Sequence, residues 1–186
     1  NITISGLVTL PFQQEKRGSD YRNLTPFCNE NNIPFFKTKN INSNETKDWL
    51  RDINPDVIFI LGWSQIFDKE LINLPKKYIV GSHPSDLPFG AGRAPVVWTI
   101  LEDLRKSAVS FFKINKNVDA GNLVLQKHFS ISERTDAMLL YNLVSNKLSE
   151  GFIEIYNQIQ NNTLSENMQD ISRRTLRPKR VYEDGL

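Results

Sequence analysis

Two histidines, one cysteine and a scatter of carboxylates are among the groups in this chain able to pass a proton or act as a nucleophile. His83 stands out by position. It closes the β-type stretch Tyr78-Ile79-Val80-Gly81-Ser82-His83 and leads directly into Pro84 and a loop rich in proline and glycine. An imidazole has the unperturbed pKa nearest neutrality, so it can take a proton and return it during acyl or amine chemistry. The plainer alternative is a histidine satisfied at the edge of a loop. Asp119 is the best acidic partner, because Val118-Asp119-Ala120-Gly121 reads as a turn between two strands at the same sheet edge. Aspartate and glycine also favour tight turns for their own sake, and that alternative stays open. His128 lies inside a strand pattern and reads as structural or exposed, and Cys28 reads as a buried thiol. No nucleophilic triad is evident. Two distant histidines and one cysteine have no metal-ligand spacing, so no metal is expected. Neither a dinucleotide glycine fingerprint nor a phosphate-binding P-loop occurs. The basic run Arg173, Arg174, Arg177, Lys179 and Arg180 suits a phosphate or a solvated tail.

A core must position these groups. At 186 residues, the chain has the length of one ordinary domain. That length buries roughly 70% of the unfolded surface without staples. Hydrophobic residues at 39% and charged residues at 24% exclude collagen-like, low-complexity and fully disordered chains. The net charge of +2 is too mild to argue for nucleic acid or an anionic membrane. A lone cysteine permits no internal disulfide and suits a reducing cytoplasm. The longest apolar run, Val57 to Leu61, is far short of a membrane span, and no basic-then-apolar leader opens the chain.

Periodicity predicts alternating strands and helices. Strands are expected over Ile2–Thr9, Ile33–Lys37, Val57–Leu61, Tyr78–His83, Ala108–Ile114 and Asn122–Ser130. The Val57 run is uninterrupted, as in a strand covered on both faces. Helices are expected over Ser19–Asn32 (with Pro26 a blemish), Glu45–Ile53 capped by Asn44, Asp68–Asn73, Pro95–Leu104, and Asp136–Gln160 capped by Thr135. Residues 161–186 show no period and many charges. The alternation argues for an α/β fold: a Rossmann-like, doubly wound, mostly parallel sheet with helices on both faces. Ligands on such sheets bind at the carboxyl ends of the strands, which directs attention to the loops 62–67, 83–93 and 115–121.

Three stretches resemble one family. His83-Pro84-Ser85-Asp86-Leu87-Pro88, then Gly92-Arg93-Ala94-Pro95, resembles the His-Pro-Ser loop of the formyltetrahydrofolate-dependent formyltransferases. Val118-Asp119-Ala120-Gly121-Asn122-Leu123-Val124 is similar to that family's Asp-x-Gly turn and following strand, and Pro55-Asp56-Val57-Ile58 entering Gly62-Trp63-Ser64-Gln65-Ile66 is similar as well. All three stand in the family's order across positions 55–126. The resemblance implies the doubly wound fold and transfer of a formyl group from N10-formyltetrahydrofolate to a primary amine. It implies that His83 and Asp119 are catalytic. Folate would lie against Trp63, Ser64, Gln65, Ile66 and Phe67, and against Ile114, Asn115, Asn117 and Val118. Ser85, Pro88 and Arg93 would meet the amine substrate. The mild charge favours a nucleotide-linked amino sugar as that amine. The alternatives are methionyl-tRNA or another amine, hydrolysis of the donor to formate, and a non-catalytic binding domain of the same fold. The expected location is the cytoplasm, and a homodimer is left open.

Two departures accompany the resemblance. The family places an asparagine two residues before its histidine, where this chain has Gly81; either a water or another donor fills the space, or this branch works differently, or the protein is catalytically weak. Ala91 stands where an arginine is common. The resemblance also implies a catalytic domain over residues 1–172 lacking about one opening strand–helix unit, followed by a basic tail over 173–186 that leads into a C-terminal extension.

Overall fold

The computed structural model describes residues 3–11, 22–179 and 181. These fall into two compact units. One holds the described residues up to Ile58 together with Ser64–Tyr78; the other holds Phe59–Trp63 together with the described residues from Ile79 onward.

The first unit pairs β1 (Leu7–Thr9) with β2 (Phe35–Lys37) in parallel, Leu7 opposite Phe35 and Thr9 opposite Lys37. Its helices are α1 (Thr25–Glu30), α2 (Asn44–Ile53) and α3 (Lys69–Ile72). Gly6 lies so close to the Trp49 ring that a Cβ there would fall 2.6 Å from it, and Trp49 stacks on Phe36 at 5.7 Å. Ser43, not Asn44, caps α2, its Oγ accepting the Thr46 N–H at 3.3 Å. Asp68 caps α3, with Oδ1 accepting the Leu71 N–H at 2.9 Å. The helix expected over Ser19–Asn32 is only α1, its part before residue 22 lying outside the described residues. Pro26 opens α1 instead of interrupting it, because proline's missing N–H costs nothing in a first turn. The strand expected over Ile2–Thr9 begins at Leu7.

The second unit is built on a four-stranded sheet in the order β3-β4-β6-β7. Its strands are β3 (Val57–Ile60), of which the last two residues belong to this unit, β4 (Tyr78–His83), β6 (Lys106–Lys113) and β7 (Leu123–Ser130). The short strands β5 (Ala91–Gly92) and β8 (Leu176–Arg177) form a separate parallel pair. The expectation of a mostly parallel sheet needs correction: β4 runs antiparallel to β6, and β6 antiparallel to β7. The reason is connection length for the second pair. Residues 114–122 are too few for a parallel crossover, which takes about a dozen or more, and suffice only to turn the chain back. The architecture is therefore mixed α/β.

Helix α5 (Ala137–Gln160) covers this sheet through Leu140, Val144, Ile155 and Ile159, all buried. Gly151 makes the contact close, since a Cβ there would fall 2.2 Å from the Phe111 ring. Phe152 meets Phe59 and Phe111 edge-on, at 4.9 and 5.0 Å. The cap is Asp136, one residue beyond the expected Thr135, with Oδ1 accepting the Leu139 N–H at 2.8 Å. Helix α4 (Pro95–Leu101) stops before the expected Leu104. All four residues of β3 are only half-buried, where an uninterrupted apolar run suggested full cover. The stretch after α5 is not loose: Asn167 bridges Leu123, a single 3-10 turn forms at Ile171–Arg173, and β8 follows. Among the described residues no helix is long and apolar enough to cross a membrane.

Candidate active site

Strand β4 delivers His83 at its carboxyl end, opposite Ser110 in the antiparallel register. The imidazole is buried, and its Nε2 lies 2.9 Å from the Gly90 carbonyl oxygen. A carbonyl only accepts, so Nε2 carries the hydrogen, and Nδ1 is the atom left to take a proton. Nδ1 faces Asp119 Oδ2 at 3.7 Å, beyond direct hydrogen-bond range, and the two side chains are only 9% and 15% exposed.

Asp119 sits in the β6–β7 connection at φ +49°, a left-handed conformation that aspartate tolerates better than most residues. Its Oδ2 accepts the Gly92 N–H at 2.8 Å. Gly92 has φ +106°, and a Cβ there would stand 2.4 Å from the Arg177 carbonyl oxygen, so no other residue fits. The turn thus brings together the two residues that sequence reasoning singled out, and joins them through the backbone of a third segment.

A Cβ at Gly81 would fall 2.5 Å from Ile114 Cδ1 and 3.4 Å from Phe112 Cζ, so apolar side chains occupy the room. Residues 81 and 112 are paired across β4 and β6, so they share one face of the sheet.

The other expected site residues divide by role. Ser85 is buried with a hydroxyl that finds no partner among the described residues, Pro88 is half-buried, and Arg93 is exposed. Ile114 is half-buried and donates its N–H to the Ile79 carbonyl at 3.0 Å. Asn115 folds onto its own loop, accepting the Asn117 N–H at 2.8 Å and donating to the Ala120 carbonyl at 3.2 Å. Val118 is exposed, and its carbonyl accepts from Arg174 Nη2 at 2.5 Å. Trp63 is half-buried. In the first unit, the Gln65 amide is spent on the backbone of Lys39 and Ile41, each at 2.8 Å, and Phe67 is buried. Ser64 and Ile66 are exposed, and the Ile66 carbonyl accepts from Asn42 at 2.9 Å.

Sequence reasoning missed the buried polar residues that hold the loop after His83. Ser110, fully buried, donates to the Ser85 carbonyl at 2.6 Å and accepts the Leu87 N–H at 3.1 Å. Gln126 Nε2 reaches Ser110 Oγ at 2.9 Å and the Leu87 carbonyl at 3.0 Å. The available signal was a serine set among Ala108, Val109, Phe111 and Phe112, where an apolar strand gains nothing from a hydroxyl unless it has partners. Near the turn, the Lys113 ammonium beside Glu166 holds that carboxyl below its ordinary range, with Asn122 assisting.

The sequence profile described as formyl transferase matches residues 8–156. The chain belongs to that family. The methionyl-tRNA formyltransferase of Ehrlichia ruminantium (strain Gardel) is 32% identical over 129 residues, covering 69% of this chain and 43% of that protein. The formyltransferase PseJ from Anoxybacillus kamchatkensis was solved with UDP-4,6-dideoxy-4-formamido-L-AltNAc and tetrahydrofolate. It matches with TM-score 0.65 at 17% identity, covering 92% of this chain and 84% of that one. HypX from Aquifex aeolicus in complex with tetrahydrofolic acid matches with TM-score 0.71 at 16% identity, covering 96% and 30%. At these identities the two structures establish the mixed α/β formyl transferase fold. The chain spans about half the length of the curated relatives it matches, from 43% to 60%.

Proposed function

We propose that this chain carries the proton-handling pair of an N-formyltransferase that moves a formyl group from N10-formyltetrahydrofolate to a primary amine. The supporting observation is the buried His83–Asp119 arrangement, with Nε2 tied to a carbonyl and Nδ1 turned toward a carboxylate. The donor supplies an activated formyl carbon. The acceptor amine bonds to that carbon, the donor's formyl C–N10 bond breaks, and His83 Nδ1 takes the proton that the amine sheds and returns it to N10 as the folate leaves. Asp119, held by the Gly92 N–H, stabilises the imidazolium as it forms, and burial strengthens that stabilisation. Ile114, Asn115, Asn117 and Val118 contact the donor in this reading. Trp63, Ser64, Gln65, Ile66 and Phe67 are proposed as further donor contacts on the family resemblance, Gln65 and Phe67 through their backbone.

For the acceptor we propose a nucleotide-linked amino sugar, supported by the net charge of +2 and by Arg93, an exposed cation on the loop after His83. A second reading, methionyl-tRNA, is favoured by the names of the curated relatives. The test uses the full-length protein containing this chain, supplied with N10-formyltetrahydrofolate and either a nucleotide-linked amino sugar or methionyl-tRNA. Formyl transfer to the sugar amine is expected. Transfer to tRNA alone overturns the sugar reading. Formate release without an amine overturns the transferase.

A further inference from the structure

We propose that Gln169 and Thr175, six residues apart after α5, are positioning residues that set the separation of His83 and Asp119. The inference rests on the reading of that pair as the reacting groups. Gln169 is buried, and its Nε2 donates to two backbone carbonyls of the turn, Asp119 at 3.0 Å and Gly121 at 2.7 Å. An apolar residue would fill the space as well, so the amide is explained by this donation, which pins the backbone of a residue held at positive φ. Thr175 grips the other half. Its Oγ1 accepts the Gly90 N–H at 2.7 Å, its carbonyl accepts the Ala91 N–H at 3.0 Å, and its N–H donates to the Pro88 carbonyl at 3.2 Å.

Gly90 is the residue whose carbonyl fixes His83 Nε2. One residue, Gly90, therefore takes the threonine hydroxyl on its N–H and the imidazole on its carbonyl. The grip continues where Arg93 donates to the Arg177 carbonyl at 3.2 Å, around Gly92, which holds Asp119. Neither β4 nor the β6–β7 turn determines the 3.7 Å gap alone; this strap ties both to one short segment. A displacement of about 1 Å in reacting groups costs on the order of 100-fold in rate. Release of either grip is therefore expected to act on kcat and not on donor binding.

The test uses the full-length protein and its Gln169→Ala, Thr175→Val and Thr175→Ser variants. For Gln169→Ala and Thr175→Val, kcat is expected to fall about 10- to 100-fold while KM for the donor stays within about twofold. Thr175→Ser, which keeps the hydroxyl, restores the rate. A second readout is independent of formyl transfer. The His83 ring ¹⁵N signals are assigned in the full-length protein as those lost in His83→Ala, and His128 serves as an internal control. At mildly alkaline pH the unaltered protein is expected to show Nε2–H, and Thr175→Val a mixture of the two tautomers, with His128 unmoved. Should Thr175→Val fail to fold, Gln169→Glu carries the test through kcat, because a carboxylate of the same size cannot donate. Unchanged ring signals in Thr175→Val with kcat within about twofold of wild type in the folded variants overturn the proposal. Full activity in His83→Ala would instead overturn the reading of His83 as the base, while the ring signals still report on the strap.

Discussion

Two groupings of titratable side chains, one in each unit, are built differently. In the first unit, the buried Lys47 ammonium lies 2.5 Å from Asp68 Oδ2 and 2.8 Å from Glu70 Oε2, and Arg51 also meets Glu70. The hydrogen bonds that Lys47 donates to Asp68 and then Glu70 raise its pKa. The Leu71 N–H and then Lys47 lower that of Asp68, and Lys47 lowers that of Glu70. These charges are spent on each other and tie α2 to α3. In the second unit, Asp119 is held by a backbone N–H and His83 by a backbone carbonyl, with 3.7 Å left between them. Backbone groups do not titrate, so they orient the pair without pairing off either side chain. In the proposed reading that leaves the pair for chemistry, whereas the ion pairs of the first unit serve structure.

The comparison breaks most visibly in function. Asp119→Asn and His83→Ala should each lower turnover about 100- to 10,000-fold while the melting curve keeps its midpoint and cooperativity. Lys47→Met should do the reverse, lowering the melting temperature and leaving turnover unchanged. Turnover assays and melts of the three variants side by side check both halves, and full activity in either site variant would end the distinction.

Next in size is Gly121→Ala. Its Cβ would stand 1.6 Å from the Lys113 carbonyl oxygen, a backbone atom that cannot step aside. The turn must open, with an expected loss of about 3 kcal/mol in denaturant unfolding and a fall in turnover as Asp119 moves with it.

A smaller effect is expected from Gly81→Asn. The new Cβ is crowded by the end of the flexible Ile114 side chain at 2.5 Å and is in ordinary contact with Phe112 at 3.4 Å, so the single variant should lose about 1 kcal/mol. Combined with Ile114→Ala, the asparagine gains room to donate to a developing oxyanion, and kcat should rise by up to about 100-fold. No gain in the double variant would show that the site beside His83 works without a donor on that face.

The smallest effect is the pH dependence of the first unit. Asp68 and Glu70 have lowered folded pKa values, so their contribution is complete above the unfolded carboxylate range, about 4, and is lost as pH falls through the lower folded values. Lys47 has a raised folded pKa, so its contribution is complete below about 10.4 and is lost as pH rises through the higher folded value. Melting temperature against pH should be flat between these edges and fall at both. In Lys47→Met the alkaline fall should vanish and the acid fall should weaken.

Much of the local structure was legible in the sequence. Tyr78–His83 was read to the residue, because a β-branched run ending at His-Pro has few alternatives, and α5 was read to within one residue from its three- and four-residue apolar steps. The caps at Ser43 and Asp136 were each misplaced by one residue, since adjacent serine, threonine, asparagine and aspartate are equally able to cap and only the backbone turn selects among them. Sheet direction was misjudged because alternation of elements does not encode it. His83 and Asp119 could be named as partners, but not the atoms by which they face each other.

The sequence by itself determined the residue types at the site, the strand that presents His83, the turn that presents Asp119 and membership of the formyl transferase family. Only the tertiary structure decided which imidazole nitrogen is free, that Ile114 closes the space beside Gly81, and that the stretch after α5 returns to the site. The reason is range. Strand and helix patterns repeat within a few residues, whereas the bonds that align the pair join groups 27, 50 and 85 positions apart. No periodicity records which distant backbone group a buried glutamine or threonine will meet; that is settled when the whole core packs.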